Sequence, residues 1–146
     1  MADLTDIGEE YISRVIGCEI TKVTSLDIGL YNDSTDSLSD TSDLADLTTE
    51  PSGGSYSRQS LALDGDVTMS KSGGNWQVQQ DTQKTFDTSD SSQTVDSWFY
   101  VVNFTSSEAS DAGDTDHILI YGSLDSSYDL SSIDTFNLDD TGFNLD

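Results

Sequence analysis

Apolar residues enter the chain with a helical period. Leu4, Ile7, Tyr11, Ile12, Val15 and Ile16 recur three and four positions apart, which lines one face of a helix. The spacing predicts a helix from about Asp6 to Ile16, capped by Asp6 with Glu9 three positions on and ended by Gly17. Gly8, in the first turn, works against it. From Val23 to Tyr31 the mixture of Val, Thr, Ile and Leu suits a strand. The segment 32–49 is then mostly Asp, Ser and Thr, with Leu38, Leu44, Ala45 and Leu47 as apolar anchors. Those anchors predict an ordered excursion rather than a free linker, and Pro51, Gly53 and Gly54 punctuate its end.

Beyond Tyr56 the period becomes two. Leu61, Leu63, Val67 and Met69 share one parity, with a bend expected at Asp64-Gly65-Asp66. Gly73-Gly74-Asn75 marks a turn into the run that contains Trp76, Val78 and Phe86. Val95 to Phe104 is the strongest strand, because Trp98, Tyr100, Val102 and Phe104 fill one face while Phe99 and Val101 fill the other. It is expected at the centre of a sheet, covered on both sides. His117 to Leu124 repeats that character, and Ile133, Phe136, Leu138, Phe143 and Leu145 predict one or two closing strands. The fold class is therefore all-β, a β-sandwich or jelly-roll-like body with one short N-terminal α-helix. The expected organisation is a helix over residues 1–17 and a single β-sandwich domain over 18–146, with an acidic loop at 32–55.

Charge changes this picture. The 146 residues carry 5 Lys+Arg against 28 Asp+Glu, a net charge of -23 with a mean hydropathy of -0.43. Such values ordinarily accompany disorder, yet the aromatic residues sit in compact runs. Concentrated salt resolves the conflict, since at 1 M the Debye length falls to about 3 Å and neighbouring carboxylates hardly sense one another. A halophilic source is expected. The acid excess also excludes a basic groove for nucleic acid and a polybasic membrane patch, because Arg14, Lys22, Arg58, Lys71 and Lys84 are scattered singly. No apolar run approaches the length of a membrane span. Residues 1–10 lack the basic start and apolar core of a signal peptide, so the mature chain is expected to begin where synthesis does.

Candidate chemistry is sparse. His117 is the lone candidate base and reads as a strand-edge residue, and Cys18, between Ile16 and Ile20, reads as a small buried residue. No cofactor is expected. Calcium is the fairer question, because Asp111, Asp114 and Asp116 cluster in one segment, and Asp36, Asp40 and Asp43 in another; neither follows the EF-hand spacing. Trp76, Trp98, Tyr100 and Tyr121 could line a sugar platform, though aromatics on alternating strands are more often core. Two N-glycosylation patterns, at Asn32 and Asn103, are read as coincidences.

Several short motifs resemble a known group. The helix bearing Ile7-Gly8-Glu9-Glu10-Tyr11, the strand Ile28-Gly29-Leu30-Tyr31 running into Asn32-Asp33, and Thr49-Glu50-Pro51 followed by Gly54-Ser55-Tyr56-Ser57-Arg58-Gln59 are similar to small structural proteins of tailed viruses. Thr85-Phe86, the Trp-bearing run Val95 to Phe104 and Tyr121-Gly122-Ser123-Leu124 extend the likeness across nearly the whole chain. The resemblance implies a virion component, a capsid decoration or turret subunit of a haloarchaeal tailed virus, or else a tail, baseplate or fibre-associated subunit. Its partners would be the major capsid protein or tail components and further copies of itself, with no nucleic acid or membrane contact and with assembly in the host cytoplasm. The apolar stripe of Leu4, Ile7, Tyr11, Ile12 and Val15 is the expected assembly contact. A carbohydrate-binding or adhesin module of a halophile is the reading from a different class.

The charge pattern predicts that the fold loosens as salt is withdrawn. Circular dichroism across a dilution from molar to millimolar salt should show a falling melting temperature and loss of the β spectrum; a spectrum and melting point that do not change would remove the halophilic reading.

Overall fold

The structure, a computed structural model, describes residues 2–72, 74–106 and 114–145. It is all-β and sandwich-like, and among the described residues α1 (Asp6–Ile16), near the start, is the one helix of more than one turn. The strands are β1 (Asp3–Leu4), β2 (Ser25–Tyr31), β3 (Gln59–Ala62), β4 (Val67–Ser72), β5 (Asn75–Gln80), β6 (Lys84–Asp87), β7 (Thr94–Asn103), β8 (Asp116–Asp129), β9 (Thr135–Leu138) and β10 (Gly142–Leu145). A one-turn helix, α2 (Asp33–Asp36), follows β2. Five strands form the main sheet in the order β1-β8-β7-β2-β3; β10-β5-β4 form a second sheet and β6-β9 a third. Every pairing is antiparallel.

Central placement of β7 follows from its composition. Both of its faces are apolar, so both must be covered. On one face Trp98, Tyr100 and Val102 join Ile28, Leu30, Leu61, Phe86 and Leu130 in the larger core cluster. On the other, Phe99 and Val101 pack with Tyr31, Ile118 and Tyr121, and Leu38, Leu44 and Leu47 of the acidic excursion lie over them. The excursion is thus a lid. Its leucines are held in place by the second cluster, which would otherwise face water.

The helix is attached at a β-bulge. Tyr100 pairs with Ile120 and Val101 with Ile118, so Leu119 is an extra residue on β8. The carbonyls of Ile118 and Leu119 accept hydrogen bonds from the Thr5 hydroxyl and the Thr5 N–H, respectively. Thr5, fully buried, is also the N-cap, its Oγ1 accepting from the Gly8 N–H at 2.9 Å. Asp6, expected to cap, instead occupies the first helical position. The presence of Gly8 has a packing reason: a Cβ there would stand 2.3 Å from the Leu119 carbonyl oxygen. Only glycine lets the first turn lie this close to β8.

At the other end the chain closes a Schellman turn one residue later than expected. Gly17 keeps a right-handed conformation and Cys18 takes the left-handed one, φ 57°, with its N–H donating to the Val15 carbonyl and that of Glu19 to the Arg14 carbonyl. Cys18 is exposed rather than buried, because the turn points it away from the sheet. Val23 also lies outside β2, which begins at Ser25; the Val23 N–H donates to the Tyr11 hydroxyl instead of to a strand.

The second sheet leaves the body as an arm. Its base is fastened by a buried polar node in which the Tyr100 hydroxyl meets Thr141 Oγ1, Thr141 Oγ1 donates to Gln80 Oε1, and Gln80 Nε2 donates to the Leu138 carbonyl at 2.8 Å. Burial pushes the Tyr100 phenol up to about 12, against the opposing effect of the Thr141 hydrogen bond. Alternation placed Met69 with the core-facing residues Leu61 and Val67. It is 75% exposed, because β4 pairs only with β5 and runs out past the body.

Candidate functional site

Few of the sequence candidates converge. Asp114 and Asp116 flank Thr115 beside a shallow depression that Leu44 also lines, and Asp116 Oδ1 accepts from Asn103 Nδ2 at 2.6 Å. Asp111 lies outside the described residues. Asp36, Asp40 and Asp43 serve separate local purposes: Asp36 binds Thr48 and Thr49, the Asp40 carbonyl accepts the Asp6 N–H, and Asp43 caps a turn of 3-10 helix at Leu44–Asp46. Among the described residues, no group of three or more His, Cys, Asp or Glu side chains is arranged to hold a metal ion. His117 is buried at the start of β8, opposite Val102. Its ring lies 5.1 Å from that of Phe104, and its Nε2 has no hydrogen-bond partner among the described residues.

The four aromatics of the supposed platform separate. Trp98, Tyr100 and Tyr121 are buried, Tyr121 on the opposite face from the other two, and Trp76 is exposed on the arm. Trp98 does reach a cavity of about 340 Å³, with Tyr128, Phe136, Asp125, Asp139 and Asp140 around it. The Tyr128 hydroxyl donates to Asp125 at 2.6 Å, so part of that lining is already satisfied. The helical stripe faces inward: Tyr11 is buried, and Leu4, Ile7, Ile12 and Val15 are half-buried against the chain's own larger cluster, leaving Ile16 outside at 77% exposure.

What does converge is a clasp that sequence spacing does not show. Glu50 receives Arg58 through two parallel bonds, Nε to Oε1 at 2.8 Å and a terminal nitrogen to Oε2 at 2.7 Å. The guanidinium lies 5.1 Å from the centre of the Phe99 ring. The Tyr56 hydroxyl donates to Glu50 and accepts the Leu30 N–H at 2.9 Å. Gly29 leaves the space this requires, since a Cβ there would come within 2.4 Å of the Phe99 ring and 3.1 Å of Glu50 Oε1. The bond to Glu50 raises the Arg58 pKa against the cost of burial, and burial together with the Glu50 charge pushes the Tyr56 phenol well above its usual range. The clasp closes the end of the excursion onto β2 and β7.

Carboxylates close the other end. Asp36 accepts from the backbone N–H and hydroxyl of both Thr48 and Thr49, while Asp33 Oδ1 accepts from Leu38 N–H and the Tyr31 hydroxyl. Asp96, on β7, receives the N–H groups of Asp33 and Ser34 and the hydroxyls of Ser34 and Ser97. Partial burial disfavours its charge, but these donors outweigh that cost and hold its carboxyl below the usual carboxylate value. The lid is therefore built from acids acting as acceptors. Compared with protein-family models, with curated proteins and with solved structures, the chain matches none.

A lowered carboxyl pKa in the fold stabilises it above the unfolded value of about 3.9, and the gain is lost as pH falls through the folded value. Asp96→Asn should accordingly lower stability at pH 7 by on the order of 1–2 kcal/mol, and the gap from the parent should close as pH falls below about 4. Thermal melts of both proteins from pH 7 to pH 3 in constant molar salt check this. A gap of constant size would mean that the ionised Asp96 does not hold the lid.

Proposed function

We infer that this chain is a structural subunit of the particle of a haloarchaeal tailed virus, in first place a decoration or turret subunit that covers or stabilises the head. The observation that carries the reading is the clasp. Gly29, Glu50, Tyr56 and Arg58, which lie in the motifs that resemble tailed-virus structural proteins, meet at one place, and their work there is mechanical. Motifs whose residues hold a lid against a sheet suit a particle subunit better than a catalyst. The carboxylate surface suits assembly in a salt-rich cytoplasm. The subunit acts through contacts repeated over a symmetric shell, where individually modest interfaces add through multivalency. Its partners are the major capsid protein and further copies of itself.

A tail, baseplate or fibre-associated position is the alternative within the same class. A carbohydrate-binding or adhesin module is the second reading, and the cavity beside Trp98, Tyr128 and Phe136 is the observation that favours it.

Quantitative mass spectrometry of purified virions, with labelling by an antibody to this chain, separates these readings. A copy number commensurate with the head lattice and label on the head are expected. Label confined to the tail would move the subunit there, and absence from intact particles would overturn the virion reading.

A further inference from the structure

The joint between the main sheet and the arm contains a backbone step found nowhere else in the chain. Residues 63–66 connect β3, at an edge of the main sheet, to β4, the first strand of the arm. Both sides of this turn are fastened. The Leu63 N–H donates to the Thr24 carbonyl at 2.9 Å, and Asp66 Oδ2 accepts from the Ala62 N–H at 2.8 Å and from the Lys84 ammonium at 2.6 Å. Between these points stand Asp64 and Gly65, both exposed. Asp64 enters no hydrogen bond among the described residues, and the Gly65 N–H makes one bond, to the Ala62 carbonyl, that is long at 3.4 Å.

Asp64-Gly65 is the one Asp–Gly step in the sequence, and there is no Asn–Gly step. Glycine has no Cβ to shield its nitrogen from the carboxyl carbon of the residue before it. The surroundings add no shield either, since a Cβ built at Gly65 would have nothing within 4 Å. Asp–Ser is the next least hindered step, and it occurs at Asp33, Asp36, Asp90, Asp96 and Asp125. Each of those carboxylates is already an acceptor: Asp33 for the Tyr31 hydroxyl and the Leu38 N–H, Asp36 for Thr48 and Thr49, Asp90 for the Ser55 N–H, Asp96 for Asp33 and Ser34, and Asp125 for the Tyr128 hydroxyl. None of them swings onto the following peptide nitrogen without breaking these bonds. Asp64 breaks none.

We propose that Asp64 is a modification site, at which the backbone isomerises spontaneously to isoaspartate with water as the only co-reactant. The Gly65 nitrogen attacks Asp64 Cγ. The N–Cγ bond forms, a Cγ–O bond breaks, and the hydroxyl of the protonated carboxyl leaves as water with the Gly65 N–H proton. Water then opens the five-membered succinimide at either of its carbonyls. Addition at Cγ restores aspartate. Addition at the Asp64 backbone carbonyl breaks its bond to the Gly65 nitrogen, so the chain runs on through Cγ, one carbon longer, and the former backbone carbonyl becomes the free carboxylate. The net charge is the same before and after. The turn that sets Asp66 against Ala62 and Lys84 is lengthened, however, and the attachment of the arm loosens. The reaction does not depend on where the protein works, and the pure chain is sufficient to test it.

The full chain, kept warm near neutral pH for several weeks in molar salt and in parallel in guanidinium chloride that unfolds it, tests this by tryptic mass spectrometry. Cleavage after Arg58 and Lys71 isolates Asp64 in the peptide 59–71, while Asp33 and Asp36 fall in 23–58 and Asp90, Asp96 and Asp125 in 85–146. Fragmentation that cuts the extra backbone carbon locates isoaspartate in each. At Asp64 the rates in the two solvents should agree within a few-fold, whereas at Asp33, Asp36 and Asp96 folding should slow the reaction by roughly tenfold or more. Gly65→Ala fits the open space, and the position does not need a positive φ; it should leave the melting temperature of the fresh protein unchanged or slightly raised and slow the reaction at Asp64 by roughly tenfold or more. The melting temperature of the parent should fall as the isomerised fraction grows, and that of the variant, aged alike, should hold. A rate at Asp64 suppressed by folding as far as those of the Asp–Ser steps would overturn the proposal. So would equal rates in both solvents at the Asp–Ser steps, or an isomerised parent whose melting temperature does not change.

Discussion

Burial of β7 on both faces is the constraint on which the rest of the structure depends. A strand with Trp98, Tyr100 and Val102 on one side and Phe99 and Val101 on the other needs two covers, and each buried side chain of this size is worth about 1.5–3 kcal/mol only if water is excluded from it. On one side the cover comes from α1, the β6-β9 pair and the base of the arm. On the other, no second sheet stands among the described residues. The chain uses the segment after β2, and the three leucines within it, to close that face.

A polar, acidic segment can act as a lid because its carboxylates accept hydrogen bonds at short range. Asp33, Asp36 and Asp96 take N–H and hydroxyl donors from the excursion's own turns and from the end of β2, so backbone groups that would otherwise be unsatisfied beneath the lid have partners. The Glu50–Arg58 pair adds a charged hinge on the Phe99 ring. Acids thus serve two purposes in one molecule. Those on the outer surface give the chain its net charge of -23, and those at the lid margins replace the regular ladder that the excursion lacks.

Periodicity made much of this legible. The helix span, the central position of β7 and the role of Leu38, Leu44 and Leu47 all follow from which positions are apolar and how they alternate, because burial is what those patterns record. Features that depend on one extra residue were not legible. The bulge at Leu119 moves the helix cap to Thr5 and requires Gly8, and the late closing turn exposes Cys18, yet neither leaves a trace in hydropathy. Alternation in β4 and β5 identified the apolar face of the arm but not that its end lacks a cover, since period two gives a face and not its neighbour. For the site, the pairing of Arg58 with Glu50, over Phe99 and Gly29, depends on long-range register that spacing does not encode.

The acidic excursion is a fixed part of the fold, a lid held over β7 by the clasp and by carboxylates at its margins. Amide hydrogen exchange of the full chain in molar salt measures this most directly, at the N–H groups of Asp33, Leu38, Thr48 and Thr49, which donate to lid carboxylates. Exchange slowed by roughly 100-fold or more relative to free-peptide rates is the predicted result. Free-peptide rates at these four amides would mean that the segment is an unattached acidic tail and that the second face of β7 has no cover.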